Sequence, residues 1–269
     1  MSLAHFPINP LFGAGVYRRL IRTCRSDDRV VVTLDDTHHA MWLLLEYRDD
    51  VVEAIQAAIE RGPATPCGGA TAGLQSLIGL PLAVEAGVVS RRLPCTLNCT
   101  HLIDLARLAM ATARRGGSGS VEWRIAVPDL IGEAKWVEIE RDGIVVHRWR
   151  VADGVIEQPE SLSGYPVMKG FYAWAREMFS GEELEAATML QRGIFVSRGR
   201  KHIVDEAPPV PLRLSDGMAG ACHSYSEANL ASATNVIGYV RDFSGGIAPG
   251  PVPDRIERYF RKESTHDAN

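Results

Sequence analysis

The chain has 269 residues, 46% hydrophobic and 23% charged, and its 29 Lys and Arg against 33 Asp and Glu give a formal net charge of -4. This length supports a sizeable core without a metal or a disulfide, and the composition excludes a disordered chain. The charge offers no surface for nucleic acid, and there is neither a leader sequence nor an apolar run of roughly 18 residues. We therefore expect a cytoplasmic protein without nucleic-acid or membrane partners.

The first half of the chain alternates short apolar segments with turns. Residues 29–34 and 41–47 predict two well-buried strands, whereas residues 51–60 fit a helical stripe and a strand equally well. Glycine and proline enclose a short helical segment at 70–78. Residues 100–115 form the clearest predicted helix, because an apolar face runs along them and two arginines precede a Gly-Gly stop.

The second half predicts strands first and helices afterwards. Three alternating segments indicate an antiparallel meander: 121–127, 135–140 and 144–150. Helices are expected around 173–175, at 182–191 and at 226–240. There is no internal repeat and no regular strand–helix alternation. The sequence therefore predicts an α+β fold in which helices surround an antiparallel β-sheet, with a barrel-like sheet as one form of it.

The domain organisation is expected to be simple. One domain over 1–269, or two packed lobes at about 1–117 and 118–248, fits the length. The residues at 249–269 contain three prolines and predict an extended tail, with disorder at 263–269. Nothing in the pattern opposes a homo-oligomer.

Known cofactor motifs are missing from the sequence. It contains no G-x-G-x-x-G after a strand, no Walker-type loop, no H-E-x-x-H and no G-x-S-x-G. We therefore expect no cofactor.

The segment Asp35-Asp36-Thr37-His38-His39 places two carboxylates beside two imidazoles, between apolar segments. Strand alternation would put Asp36 and His38 on one face and Asp35 and His39 on the other. A carboxylate next to an imidazole fixes its tautomer and supports a general base, although the same residues could begin a metal site. An exposed polar turn is the alternative.

The segment Cys99-Thr100-His101 lies where the clearest helix begins. The positive end of that helix is expected to lower the pKa of both Cys99 and His101. Cys95 adds a nearby thiol, but these residues lack a zinc-site spacing, so we expect no bound metal. The alternative is that Cys99 packs in the core and His101 caps the helix.

Several motifs resemble a known family. They are Arg18-Arg19, Asp36-x-His38-His39, Cys67-Gly68-Gly69-Ala70, Leu77-x-Gly79, Cys99-Thr100-His101-Leu102-x-Asp104-Leu105 and Glu185-Ala186-Ala187-x-x-Leu190-x-Arg192-Gly193. The series is similar to a bacterial domain-of-unknown-function family with a Cys-Thr-His-Leu signature, over nearly the whole chain. The resemblance implies a strand at 51–60. It also implies breakdown of aromatic, including lignin-derived, compounds, in which cofactor-free lyases release a hydroxymethyl group as formaldehyde.

The leading hypothesis is a cofactor-independent acid/base lyase for a small hydrophobic aromatic compound, releasing formaldehyde by carbon–carbon cleavage. The expected catalytic residues are His38 or His39 as base, Asp36 as its orienting carboxylate, and His101, Cys99 and Tyr172 on the acid side. The expected substrate-binding residues are Trp42, Cys67, Tyr165, Phe171 and Trp174.

Two other functions fit the same residues. One is a metal-dependent hydrolase or lyase that uses His38, His39, His101 and a carboxylate. The other is a non-catalytic small-molecule-binding or accessory protein that uses the same pocket without turnover.

Overall fold

A computed structural model describes residues 6–206, 208–215 and 217–261, and within them eight strands form one sheet. The strands are β1 (Val16–Ser26), β2 (Arg29–Asp36), β3 (Ala40–Arg48), β4 (Val51–Arg61), β5 (Gly119–Pro128), β6 (Lys135–Arg141), β7 (Ile144–Ala152) and β8 (Val155–Gln158). Their order is β4-β3-β2-β1-β5-β6-β7-β8, and every neighbouring pair is antiparallel. The predicted α+β fold is confirmed, with an open sheet rather than a barrel.

The sheet consists of two four-stranded meanders that join where β1 pairs with β5. The predicted meander at 121–150 corresponds to β5, β6 and β7, and is confirmed. The ambiguous segment at 51–60 is β4, the strand that the family resemblance implied. Pairing with β3 decides this conformation, since it gives the backbone of β4 hydrogen-bond partners and buries Val52 and Ile55.

Six α-helices lie in the described part of the chain. They are α1 (Ala86–Arg92), α2 (Thr100–Arg115), α3 (Phe171–Met178), α4 (Gly181–Ser197), α5 (Glu227–Leu230) and α6 (Asp254–Arg261). Short 3-10 helices lie at Cys67–Leu77, Cys95–Leu97, Glu160–Leu162, Arg198–Lys201, Leu212–Leu214 and His223–Tyr225. The helices predicted at 100–115, 173–175 and 182–191 are confirmed, and the segment at 70–78 is helical in 3-10 form. None of the helices described is long and apolar enough to cross a membrane.

The helix predicted at 226–240 is wrong beyond its first turn, α5. Polar side chains there bind the backbone of other segments and so compete with a continuing helix. Asn235 accepts a hydrogen bond from the Val210 N–H and donates one to the Val204 carbonyl at 2.8 Å. Thr234 bridges to Pro211. The segment is therefore extended and holds loops together.

The main core lies between one face of the sheet and the two long helices, α2 and α4. On α2, Leu102, Leu105, Ala106 and Ala109 are almost fully buried against this face. The helix α4 approaches the sheet very closely at Gly193. The helix α2 packs on β1, β2 and β3, and α4 packs on β1 and on β5 to β7.

The opposite face of the sheet is covered in part by α6. Ile256 is 1% exposed and packs with Trp42 and neighbouring residues of β2 and β3. Arg22 on β1 binds Glu257 with a nitrogen–oxygen distance of 3.0 Å. The expectation of an extended tail at 249–269 is therefore wrong for residues 254–261. These residues form a helix whose apolar side packs on the sheet. Residues 263–269, expected to be disordered, lie outside the described residues.

Candidate functional site

A tight turn joins β2 to β3 and carries the acidic and histidine-rich segment. The N–H of Asp36 donates to the carbonyl of His39 at 2.9 Å. The Oδ1 atom of Asp36 accepts the backbone N–H groups of His38 at 2.7 Å and His39 at 2.8 Å. Strand alternation therefore ends at Asp36, and the side-chain pairing expected from it is wrong. The turn is also buried, which excludes the exposed polar turn considered above.

Asp36 is the centre of a buried network of charged groups. Its Oδ2 atom accepts Arg19 Nη2 at 2.7 Å and the Tyr17 hydroxyl at 2.8 Å. Burial would raise the pKa of Asp36, but the neighbouring His39 and Arg19 outweigh it and hold this pKa well below the usual value. Asp36 is therefore a carboxylate throughout the neutral range.

Asp36 orients His39 rather than His38. The His39 Nδ1 atom lies 3.1 Å from Asp36 Oδ1. Because a carboxylate accepts only, the shared proton belongs on Nδ1, and Nε2 carries the free lone pair. No residue in the described part of the chain hydrogen-bonds this Nε2 atom. His39 thus has the tautomer and orientation of a general base.

The two sequence segments meet at a pair of histidines. The rings of His39 and His101 have centroids 4.1 Å apart and planes inclined by 36°. His101 belongs to the first turn of α2, which packs on β1, β2 and β3. The expected meeting of the two segments is confirmed, while a cavity shared by them stays a prediction.

His101 is held as a neutral imidazole. Burial, followed by the neighbouring His39 and Arg19, places the pKa of His101 well below its usual value. Its Nε2 atom is buried without a hydrogen-bond partner in the described residues, and Nδ1 lies 3.7 Å from Cys99 Sγ. The predicted direction of this pKa is confirmed, with burial rather than the helix terminus as its main cause.

Cys99 directly precedes α2, yet its thiol is not activated. Burial raises the pKa of Cys99 to about 12, against two backbone hydrogen bonds that lower it. The expectation of a lowered Cys99 pKa is therefore wrong, because desolvation of a thiolate outweighs the helix terminus. Cys99 remains a thiol beside His101.

The His38 ring lies edge-on to the His39 ring, with centroids 6.3 Å apart. It lies 5.9 Å from the Tyr239 ring, and both ring nitrogens are buried without a partner in the described residues. A Cβ atom added at Gly199 would lie 2.7 Å from His38 Nε2, so a glycine is needed there. Burial lowers the pKa of His38 to about 3. His38 therefore occupies a separate, closely packed position.

Arg61, at the end of β4, holds the turn in place. Its guanidinium donates to the Asp35 carboxylate and to the carbonyls of Asp36, Thr37, His39 and Tyr239. The turn backbone from Asp36 to His39 is thereby fixed by one side chain. Arg61 is a positioning residue for His39.

Tyr172 and Cys67 lie near the edges of this site. The Tyr172 hydroxyl, on α3, donates to Gln191 Oε1 at 2.8 Å, and the residue is 41% exposed. Cys67 begins a 3-10 helix with its Sγ atom 3.4 Å from Ser224 Oγ. Burial raises the pKa of Cys67 as well.

The remaining residues expected to bind substrate lie elsewhere. Trp42 packs under α6 on the opposite face of the sheet from His39, with its Nε1 atom bound to Glu60 at 2.8 Å. Phe171 and Trp174 are buried in the main core, and Tyr165 stacks on Trp174 at 4.6 Å. In the described residues, no ring contact joins these four to His39 or His101.

The metal-dependent alternative lacks a clear ligand set. No group of three or more His, Cys, Asp or Glu side chains among the described residues is arranged to hold a metal ion. Asp36 forms a buried ion pair with Arg19. The absence of a bound metal stays a prediction.

Residues 22–115 match a family model described as "Protein of unknown function (DUF2889)". Searches of curated proteins and of solved structures give no match. The DUF2889 segment contains Asp36, His39 and His101, which are the residues that the fold brings together. Arg19 lies outside it. The expected resemblance to a domain of unknown function is therefore confirmed for this segment.

Sequence reasoning missed the arginines of the site. Arg19 lies between Tyr17 and Ile21 on the core-facing side of β1, where an arginine needs a buried carboxylate. An arginine on the core-facing side of a strand was therefore the signal that could have identified Arg19 as a site residue. Arg61 gave no such signal, since it ends a strand whose conformation the pattern left open.

Proposed function

We propose that the protein is a cofactor-independent acid/base lyase that releases formaldehyde from a small aromatic compound bearing a hydroxymethyl group. The observation that carries the proposal is the buried chain of Arg19, Asp36 and His39, with the His101 ring 4.1 Å from the His39 ring. A carboxylate fixed by an arginine and bound to imidazole Nδ1 is the arrangement that a general base requires.

The proposed reaction balances without an oxidant or a reductant. The base removes the proton of the hydroxymethyl oxygen, which becomes the carbonyl oxygen of formaldehyde as the carbon–carbon bond breaks. The electron pair of that bond forms a carbon–carbon double bond and expels the adjacent aryl ether oxygen. This phenoxide takes up one proton, so the proton count is unchanged.

His39 is assigned as the base because its Nδ1 proton is committed to Asp36 and its Nε2 atom is free. The proton is delivered to the leaving oxygen on the other side of the reacting group. His101 and Tyr172 are the proposed donors, with the Cys99 thiol as a neutral neighbour. Since His101 is neutral, it serves by passing on a proton rather than as a stored imidazolium.

The test is a screen of aryl ethers that carry a hydroxymethyl group on the carbon next to the ether carbon, with products read by mass spectrometry. We expect formaldehyde and alkene in equal amounts without added cofactor and after chelation. His39→Gln should reduce turnover on the order of a hundredfold or more. His147→Gln is the control, since His147 lies on β7 and binds the Glu183 carbonyl at 2.8 Å.

Other outcomes would redirect the assignment. Loss of turnover on chelation, restored by one added metal, would favour the metal-dependent hydrolase or lyase. Saturable binding of these ethers without product, in a folded chain, would favour a binding or accessory protein. Equal turnover in the wild type and His39→Gln would remove His39 from the base role.

A further inference from the structure

Arg192 on α4 is a mostly buried arginine with unused hydrogen-bond donors. Its Nε atom binds Asp104 Oδ2 at 2.8 Å, and its side chain is only 19% exposed. Neither terminal nitrogen has a hydrogen-bond partner among the described residues. A mostly buried guanidinium with unpaired N–H groups is suited to bind an anion, because the anion would replace the hydration that burial has removed.

Three other arginines with little exposed side chain, Arg19, Arg61 and Arg200, differ from Arg192. Arg19 and Arg61 bind carboxylates, the turn backbone or the Tyr17 hydroxyl with several nitrogens, and Arg200 lies between Asp129 and Asp242. Their partners all belong to the chain.

The charge around Arg192 is also incomplete. Asp104 is shared with Arg107, whose nitrogen lies 3.8 Å from it, so two arginines face one carboxylate. This group therefore carries an excess positive charge. A single anion bound at Arg192 would neutralise it.

The position of Arg192 connects it to the histidine pair. Asp104 and His101 are three residues apart on α2 and therefore lie on the same side of this helix. Arg192 is close enough to His101, Arg19 and Tyr172 to act on all three through its charge. Gly193 brings α4 against β5 at this level.

We propose that Arg192 is the anchoring group for an oxyanion carried by an aromatic ligand, a carboxylate or a phenolate, bound beside His39 and His101. The two terminal nitrogens of a guanidinium match both oxygens of a planar carboxylate and accept a phenolate equally well. The inference rests on the proposed function in one respect only, namely that the ligand is aromatic. For the lyase, this oxyanion is a substituent of the substrate or the departing phenoxide.

The experiment measures binding to the full chain rather than turnover. The probes are benzoate, its neutral analogue benzamide, and 4-nitrophenol, whose absorbance reports its ionisation. Binding is followed by calorimetry, and the histidine ring signals by nuclear magnetic resonance. The variants are Arg192→Gln, Arg192→Lys and Arg107→Gln. The last is a matched control, because Arg107 lies near the same Asp104 but its side chain is 39% exposed.

We expect wild type to bind benzoate at least about tenfold more tightly than benzamide, since a charge-assisted hydrogen bond is lost with the amide. Benzoate should shift the His101 ring signals. Arg192→Gln should abolish the preference, Arg192→Lys should keep part of it, and Arg107→Gln should retain it. The affinities of 4-nitrophenol and benzoate are then compared. Tighter binding of 4-nitrophenol, as its yellow anion, indicates a phenolate site, and tighter binding of benzoate indicates a carboxylate site.

Three results would overturn the proposal. They are no saturable binding of either anion to wild type, unchanged benzoate binding in Arg192→Gln, and an equal loss in Arg107→Gln, which would indicate bulk charge. Benzoate binding that depends on Arg192, together with no formaldehyde from any ether, would support the anion site while refuting the lyase. The two proposals therefore fail separately.

Discussion

Asp36 combines two tasks that are usually divided between residues. One of its oxygens closes the backbone turn, and the other binds Arg19 and Tyr17. Because the same carboxylate meets the His39 ring, the direction of that ring depends on the turn and on the ion pair together. The conformation of the turn and the orientation of the His39 ring are therefore coupled at a single residue.

Asp36→Asn should destabilise the fold strongly, because it leaves the Arg19 charge buried without its partner. We expect a loss of about 3–5 kcal/mol in the free energy of unfolding, measured by urea titration. The double variant Arg19→Met with Asp36→Asn should recover much of this loss, since the isolated charge is gone. If the single variant is as stable as wild type, the ion pair has no structural role.

His38→Leu should change the acid stability of the protein but not its turnover. An unfolded imidazole takes up a proton near about pH 6.5, whereas buried His38 does so only at about 3. Between these values the unfolded chain binds more protons, so the free energy of unfolding falls as the pH drops. Leucine binds no proton in either state and removes this contribution.

Urea titrations at several pH values provide the measurement for His38→Leu. The variant should be at least as stable as wild type near neutral pH, since an unpartnered imidazole is replaced by an apolar side chain. It should then lose less stability on acidification. A hundredfold loss of turnover in this variant would instead make His38 the base.

At the scale of elements, pairing and packing decide what local pattern leaves open. The helix α2 could be predicted to the residue, because an apolar stripe and a Gly-Gly stop define it within the sequence itself. The strand β4 could not, because its conformation depends on pairing with β3. Strand alternation also failed to predict which of His38 and His39 pairs with Asp36. The Asp36 side chain binds the backbone of the turn, so the strand conformation ends there.

The contact between α4 and β5 offers a direct test of packing. A Cβ atom added at Gly193 would lie 2.8 Å from Ile125 Cγ2, so Gly193→Ala forces the helix away from the sheet. We expect a loss of about 1–3 kcal/mol in the free energy of unfolding. In Gly68→Ala, the control, the added methyl group meets nothing within 4 Å. Equal effects in the two variants would contradict the close approach.

On the scale of the whole molecule, the two faces of the sheet have different coverings. One carries α2, α4 and the proposed site, and the other carries α6. The sequence indicated the first covering through the apolar face of α2. The sequence did not indicate the covering by α6. This helix has only three apolar side chains, and they form a packing surface only against the outer face of β2 and β3.

Removing the apolar contact of α6 should destabilise the protein without affecting the site directly. Ile256→Ala deletes a side chain that is 1% exposed, and a loss of about 2–5 kcal/mol is expected in urea unfolding. Arg258→Ala, on the exposed side of the same helix, should change the free energy of unfolding by no more than about 0.5 kcal/mol. Comparable losses in both variants would mean that α6 is not docked through Ile256.

The joint between the meanders also bears on synthesis of the chain. Val16 on β1 pairs with Pro128 on β5, so one edge of β1 has no partner until the second meander has left the ribosome. At that stage β1 to β4 and α2 have been synthesised. The edge of β1 that later pairs with β5 is then open to other nascent chains. Pauses in translation between residues 115 and 128 should therefore lower the yield of soluble protein more than pauses after β5.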